Sequence, residues 1–383
     1  MKILFVADAY YPSKGGVQNV TKYLAEGLAK ENEVLVITLG KEKKDKVINN
    51  VKIKNFNIQK NKLKKYFGEI EEYKKYIKNT DADYIIFECC ETITFNLILP
   101  IMKNIKSKKI LHAHGCYGRT LKPFVFKENF IKTLGNTYNY IYYKFYYYPI
   151  FLKKYINEID GIISLHKEDS GTTYFNKNFQ GKKFVLGNAA DKDFFNMDNS
   201  KECFFNENIN KKYFVSVANY RNIKNQIGIL KQFNKSKAKD KYKLIFIGEK
   251  ETEYYQELIK VIKKLKLEKN VIALTNVERK FIPSIISNSY LYLIGSTYEE
   301  FSISLIEAMA TGVPFISTNV GNAKQLPGGI TLSNINQMHY NIDKLVNEKS
   351  QYYKLSEQGK KFAIENCTVD KCVKKLKNII LEV

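Results

Sequence analysis

Glu299 and Glu307 stand in one string, Tyr298-Glu299-Glu300-Phe301-Ser302-Ile303-Ser304-Leu305-Ile306-Glu307-Ala308-Met309-Ala310-Thr311-Gly312-Val313-Pro314. The first carboxylate ends a loop and the second belongs to a short helix. Ser302 is the expected N-cap, and Leu305, Ile306, Met309 and Ala310 give an apolar face. Gly312 falls at the C′ position with Pro314 just beyond. The apolar run Leu291–Ile294 ahead of the loop reads as a buried strand. A strand, a carboxylate-bearing loop and a helix N-terminus then converge on the mouth of a sheet. Loop amides and the positive helix end favour an anion there. Glu307, about a turn further in, can accept hydrogen bonds from a vicinal diol. Amides for a diphosphate and carboxylates for sugar hydroxyls meet the needs of a nucleoside-diphosphate sugar.

Three other stretches carry groups able to do chemistry. Gly15-Gly16 closes a loop before a helical pattern, so backbone amides there can approach a bound group. It is not G-x-G-x-x-G and no acidic residue follows at the expected distance, which disfavours a nicotinamide cofactor. His112-Ala113-His114-Gly115 follows a strand, where side chains point into the functional crevice of a parallel sheet. Val217–Gln226 supplies Arg221 and Lys224. Two Asp-x-Asp strings, Asp81/Asp83 and Asp191/Asp193, raise a metal-binding alternative. Asp81 and Asp83 precede a strand instead of following one, so no metal site is assigned.

The elements that must position these groups alternate between strand and helix. Lys2–Ala7, Val34–Thr38, Tyr84–Phe87, Lys109–Ala113, Gly161–Ser164 and Phe184–Leu186 read as strands of a first half. Tyr213–Val217, Leu244–Ile247, Val271–Leu274, Leu291–Ile294 and Phe315–Thr318 read as strands of a second. Short apolar strands separated by helices imply parallel sheets buried on both faces. The expected architecture is α/β with two Rossmann-like domains whose parallel sheets face a cleft. The expected division is 1–190, 191–365 and a terminal helix in 366–383.

The Glu299–Pro314 string resembles the Glu-x7-Glu segment of glycosyltransferase family 4, retaining enzymes of the two-domain GT-B fold. Glu299, Phe301, Glu307, Ala308, Met309, Ala310, Gly312 and Pro314 match the family pattern, whereas Glu300 and Ser302 replace its usual glycines. The resemblance implies roles. Glu307 would hold ribose hydroxyls and Glu299 the donor-sugar hydroxyls. Lys224 would hold the diphosphate, with amides of Phe301 and Ser302 assisting. Gly15 and Gly16 would meet that diphosphate, and His114 would lie beside the donor sugar, with His112 pointing elsewhere. Asn219 occupies the usual arginine position, so Arg221 is the candidate replacement. Glu299, His114 and Lys224 are thus the expected catalytic residues. Metal-independent transfer of a hexosyl group from a UDP-sugar to a glycan or lipid-linked glycan acceptor is implied, with no cofactor. A non-catalytic sugar-nucleotide-binding protein of the same fold is the alternative.

Composition sets limits on partners. The 383 residues carry a formal charge of +23, almost all of it from lysine, because the arginines are Arg119, Arg221 and Arg279 alone. Arginine-based readout of bases is therefore disfavoured, so no nucleic-acid partner is expected, while an anionic membrane surface suits the charge. Lys41, Lys43, Lys44, Lys46, Lys60, Lys62, Lys64 and Lys65 read as polar loops and helix faces. Cys89, Cys90, Cys116, Cys203, Cys367 and Cys372 lack C-x2-C pairs, which indicates neither a zinc site nor a disulfide framework and fits a reducing cytoplasm. Met1–Val6 is too short for a signal peptide. Tyr138–Tyr155 is dense in tyrosine with Lys144, Lys153 and Lys154 among them. That pattern fits a long helix packed on the core, or a peripheral site on the inner face of the cytoplasmic membrane.

Overall fold

A computed structural model describes residues 1–13, 15–40, 45–61, 65–122, 130–196 and 212–383. Lys41, Lys43, Lys44, Lys62, Lys64 and Cys203 lie outside the described residues. The chain divides into two compact units, Met1–Gly187 with Cys372–Val383, and Asn188–Lys371.

The first unit holds β1 (Lys2–Val6), β2 (Glu33–Leu39), β3 (Lys46–Ile48), β4 (Val51–Phe56), β5 (Ile58–Lys60), β6 (Tyr66–Gly68), β7 (Tyr84–Glu88), β8 (Lys108–His112), β9 (Gly161–Ser164) and β10 (Lys182–Val185). Eight of these strands form one sheet in the order β10-β9-β8-β7-β1-β2-β4-β3. Every neighbour in it is parallel except β3 with β4. Strands β5 and β6 form a separate antiparallel pair. The order reverses between β1 and β7, since β2 continues on one side and β8 on the other. That reversal is the topological switch point, and ligands of doubly wound sheets bind outside the carboxyl ends of its strands.

The second unit holds β11 (Tyr213–Val217), β12 (Lys243–Gly248), β13 (Val271–Thr275), β14 (Leu291–Ile294), β15 (Phe315–Thr318) and β16 (Gly329–Leu332). All run parallel in the order β13-β12-β11-β14-β15-β16, which puts the switch point between β11 and β14. Alternate residues of those two strands feed opposite faces. Val215, Tyr292 and Ile294 enter one apolar cluster, while Phe214, Leu291 and Leu293 enter another. Burial on both faces explains why these strands are apolar without alternation.

The terminal helix runs Val369–Glu382, and its Leu376, Ile379 and Ile380 are buried. Residues from Cys372 onward belong to the first unit, where Lys377 pairs with Glu31 and the Cys372 Sγ lies 3.3 Å from the Gly187 carbonyl. The tyrosine-rich stretch is helical: Phe130–Ile141 is α-helix and Tyr142–Leu152 is π-helix. Tyr147 and Tyr148 are buried, whereas Tyr138 and Tyr146 are exposed. Among the described residues, no helix is long and apolar enough to cross a membrane.

Candidate active site

In the second unit, Lys224 ends a short 3-10 turn, Asn222–Lys224, after β11. The next residue, Asn225, adopts left-handed geometry at φ 51° and caps the helix Gln226–Lys235 by accepting from the Gly228 amide. Asparagine tolerates this conformation and caps well, so one residue both turns the chain and starts the helix. Its Nδ2 also donates to the Gly295 carbonyl at 3.1 Å, and the Thr297 amide donates to the Ile223 carbonyl at 2.8 Å. The loops after β11 and β14 are stitched together by these bonds. Gly295 has to be glycine: a Cβ there would come within 2.7 Å of Ile229 and 3.1 Å of the Asn225 carbonyl.

The stitching brings Lys224 and Glu299 into contact. Lys224 Nζ donates to both carboxylate oxygens of Glu299, at 2.6 and 2.8 Å, and Ser296 Oγ adds a third bond at 2.7 Å. Both side chains keep partial exposure, 25% and 14%. They line a pocket of about 280 Å³ together with Val217, Asn219, Phe301 and Ser302. The pocket lies at the carboxyl ends of β11 and β14, at the switch point of this sheet. Tyr292 braces its floor from the core, exchanging bonds of 3.1–3.2 Å with the Val217 backbone through its hydroxyl.

Glu307 sits on the following helix, Ile303–Ala310, with its side chain only 4% exposed. Its carboxylate accepts from Arg279, whose guanidinium also lies 5.1 Å from the Phe194 ring centre. Burial raises the Glu307 pKa, against the pull of Arg279. A buried carboxylate held at such a cost is a mark of functional sites.

Two expectations change here. Ser302 sits at the N-cap position but its side chain makes no capping bond. Its amide donates to Oδ1 of the buried Asn322 at 2.9 Å, so that amide is not available to an anion in this structure. What Ser302 offers the pocket is its hydroxyl, 3.3 Å from Ser304 Oγ. Asn219 lines the pocket, whereas Arg221 is exposed and does not. At this pocket wall the chain therefore presents the neutral side chain of Asn219 and not the Arg221 guanidinium.

In the first unit, Gly15 and Gly16 open the helix Gly16–Leu28 after β1, at the switch point of that sheet. The Asp8 carboxylate, also after β1, accepts from the Ile93 and Thr94 amides at 3.0 and 2.9 Å and so ties this loop to the one after β7. His114 follows β8 in left-handed geometry, φ 51°, beside Gly115 at φ 86°. It meets the carboxylate of Glu88, the last residue of β7. His112 does not point elsewhere: its ring packs 3.8 Å from that of His114, and its Nδ1 lies 3.2 Å from the same carboxylate. Glu88, His112 and His114 are the group among the described residues whose donor atoms lie close enough to hold a metal ion. The Asp-x-Asp residues serve structure. Asp81 pairs with Lys2, Asp83 accepts from the Lys2 amide, and Asp191 accepts from the Asp193 amide.

Arg279, Asn322 and Glu88 are site residues that sequence reasoning missed. Glu88 had a signal, a carboxylate directly following the apolar run Tyr84–Phe87. Arg279 and Asn322 had none beyond following strands of the second half.

Residues 199–362 match the family model described as glycosyl transferases group 1. That group 1 segment contains Lys224, Arg279, Glu299 and Glu307. A probable sucrose-phosphate synthase from Thermosipho melanesiensis is 30% identical over 157 residues, 40% of this chain and 37% of that relative. The chain therefore matches little more than a third of the relative's length. Among solved structures, sucrose-phosphate synthase from Thermosynechococcus elongatus has a TM-score of 0.74 at 14% identity, covering 100% of this chain and 98% of its own. Anabaena HepE in complex with UDP has a TM-score of 0.74 at 16% identity, covering 100% of both chains. These likenesses establish the fold, the GT-B fold of glycosyltransferases.

Proposed function

We propose that this chain is a retaining glycosyltransferase of family 4 type, moving a hexosyl group from a nucleotide sugar to an acceptor hydroxyl. The observation that carries the reading is the Lys224–Glu299 pair in a pocket at the β11/β14 switch point, whose wall includes Ile303 and Ser304 of the helix that carries the buried Glu307. Lys224 as the cation, Glu299 as the proposed sugar-binding carboxylate and Glu307 as the proposed diol-binding carboxylate all belong to the group 1 segment. The leaving diphosphate gains charge in the transition state, and Lys224 is placed to stabilise it. In the ligand-free protein Glu299 neutralises that lysine. A bound diphosphate would draw the ammonium away and free the carboxylate for sugar hydroxyls. Gly15, Gly16 and His114 are assigned to the same reaction from the first unit.

A UDP-linked hexose is the proposed donor, supported by the UDP complex of the structurally similar HepE. The transfer is proposed to need no metal, because the carboxylates of Asp81, Asp83 and Asp191 already hold lysine or backbone groups. The proposed acceptor is a glycan or lipid-linked glycan met at the inner face of the cytoplasmic membrane. The tyrosine-rich helix supports this, since Tyr138, Ile141, Phe145 and Ile150 are exposed along it while Tyr147 and Tyr148 are buried. Exposed aromatic and apolar side chains beside Lys144, Lys153 and Lys154 suit an anionic bilayer interface.

A thermal-shift panel of nucleotide sugars, followed by product analysis with the stabilising donor, tests the reading. Stabilisation by a UDP-sugar with transfer and kept anomeric configuration is expected. Binding without any transfer or donor hydrolysis would favour the sugar-nucleotide-binding alternative. An inverted linkage would refute the mechanism.

A further inference from the structure

Glu88 has no role in the reaction as proposed so far, yet its environment is unlike that of an ordinary structural carboxylate. It ends β7 in register with His112 at the end of β8, and both residues are 1% exposed. Oε2 meets the His114 Nε2 directly, while His112 Nδ1 lies 3.2 Å from the same oxygen without hydrogen-bond alignment. Among the described residues, Oε1 of Glu88 and both ring nitrogens of His112 have no hydrogen-bond partner. Backbone strain surrounds the group, with left-handed φ values at Cys89 (69°), Glu91 (66°) and His114 (51°). Such conformations at non-glycine residues persist only where the surroundings over-determine them, and they cluster at functional sites.

We propose that Glu88 is a positioning residue: it fixes the imidazole of His114 with the proton on Nε2, leaving Nδ1 as a hydrogen-bond acceptor for a hydroxyl of the bound sugar. This rests on the reading that His114 faces the donor. A ring nitrogen in contact with a carboxylate must carry the proton, which sets the tautomer and hands the lone pair to the other nitrogen. The electrostatics agree. Burial works against ionising Glu88, but the contacts of its carboxylate with the two imidazoles outweigh burial and lower its pKa, so it is a carboxylate at neutral pH. Burial foremost lowers the His114 pKa, which keeps the ring neutral. A neutral imidazole donating to a carboxylate is an acceptor on its far side, and a sugar hydroxyl is the donor it would take. The ring of His112, tilted against His114 with the ring centres 3.8 Å apart, packs against it and limits its rotation. A metal ion is the competing occupant of these donors. Zinc would hold nitrogen and oxygen ligands at about 2.0–2.1 Å and spread them to ~3.3 Å apart. With the proton on Nε2, the His114–Glu88 contact is satisfied without an ion between them.

The test uses the full chain labelled with ¹⁵N-histidine, of which there are four to resolve. Long-range proton–nitrogen spectra report each tautomer, with His114→Asn identifying the signal. The Nε2–H form is expected for His114 in the wild type, with a shift toward a mixture in Glu88→Gln. Release of UDP from UDP-glucose should fall about 10–100-fold in kcat in Glu88→Gln, the loss typical of removing an orienting partner. KM should change little, and Glu88→Asp should restore part of the rate. The Nδ1–H form in the wild type, or an unchanged tautomer in Glu88→Gln, would overturn the proposal. So would stoichiometric metal in the purified protein, with the His114 Nε2–H signal absent until the metal is chelated away. If no donor is turned over, the transferase reading fails, while the tautomer measurement still decides whether Glu88 sets His114.

Discussion

Glu307→Gln should pull stability and ligand binding in opposite directions. Folding raises the pKa of this carboxyl, so the folded state holds the proton more tightly than the unfolded chain. Stability associated with the group is present at acid pH and lost as pH rises through the raised value, leaving a penalty at neutral pH. Glutamine removes the buried charge and keeps the shape. Arg279 is not stranded by the change, because its side chain is 62% exposed. The ligand-free variant is therefore expected to melt at or above the wild-type temperature. Binding moves the other way. Hydrogen bonds to a charged group contribute about 1.5–3 kcal/mol and neutral ones about 0.5–1.5, so losing the charge beneath a diol costs roughly 1–3 kcal/mol. A loss of about 1.4 kcal/mol is tenfold in Kd. At a UDP concentration 100 times the wild-type Kd, ligand stabilisation is about 2.7 kcal/mol, and it falls to about 1.4 for a tenfold weaker variant. At about 2–4 °C per kcal/mol, the UDP-induced rise in Tm should shrink from roughly 5–11 °C to roughly 3–6 °C. Differential scanning fluorimetry with UDP gives both numbers from one experiment. A lower Tm with an undiminished UDP shift would show that Glu307 serves the fold and not the ligand.

Asn219→Arg should tighten UDP binding by about 1.5–3 kcal/mol by adding a charged donor to the pocket wall; unchanged affinity in calorimetry would place position 219 off the diphosphate. Transfer should proceed at an undiminished rate in chelator, whereas loss of activity restored by manganese would return the Asp-x-Asp carboxylates to contention. The protein should float with anionic vesicles at 0.1 M salt and far less at 1 M, where the screening length drops from about 10 Å to about 3 Å. Ile141→Ser with Phe145→Ser should weaken that binding, and equal partition to neutral vesicles would argue against an electrostatic surface.

The parallel sheets were legible because their strands are buried on both faces and read as unbroken apolar runs. Strands β11, β14 and β15 match their expected bounds residue for residue. Strands β3, β4 and β5 were hidden by lysine. Val51-Lys52-Ile53-Lys54 alternates core-facing and solvent-facing residues, and Lys46 and Lys60 lie on strands where polar loops were expected. At the site, the Glu299–Pro314 string made Glu299 and Glu307 candidates, and the family resemblance added Lys224. No sequence pattern could show that Lys224 and Glu299 pair, since they are 75 positions apart and meet only because β11 and β14 are neighbours. The fate of the Ser302 amide was equally invisible, being decided by Asn322 beyond the next strand.

The first unit is discontinuous, and that constrains the order in which it can be assembled. A Cβ on Gly27 would come within 2.4 Å of Val373, and one on Gly161 within 2.8 Å of Val383. Two glycines in the first half of the sequence thus make room for side chains translated hundreds of residues later. On a ribosome the amino-terminal sheet emerges early, yet its covering helix arrives only after the whole second unit has been made. Until then the surface around Gly27 and Gly161 waits exposed, while the second unit is free to fold as a continuous stretch. Cutting the chain after Lys371 would leave that second stretch whole and strip the first of its last packing element.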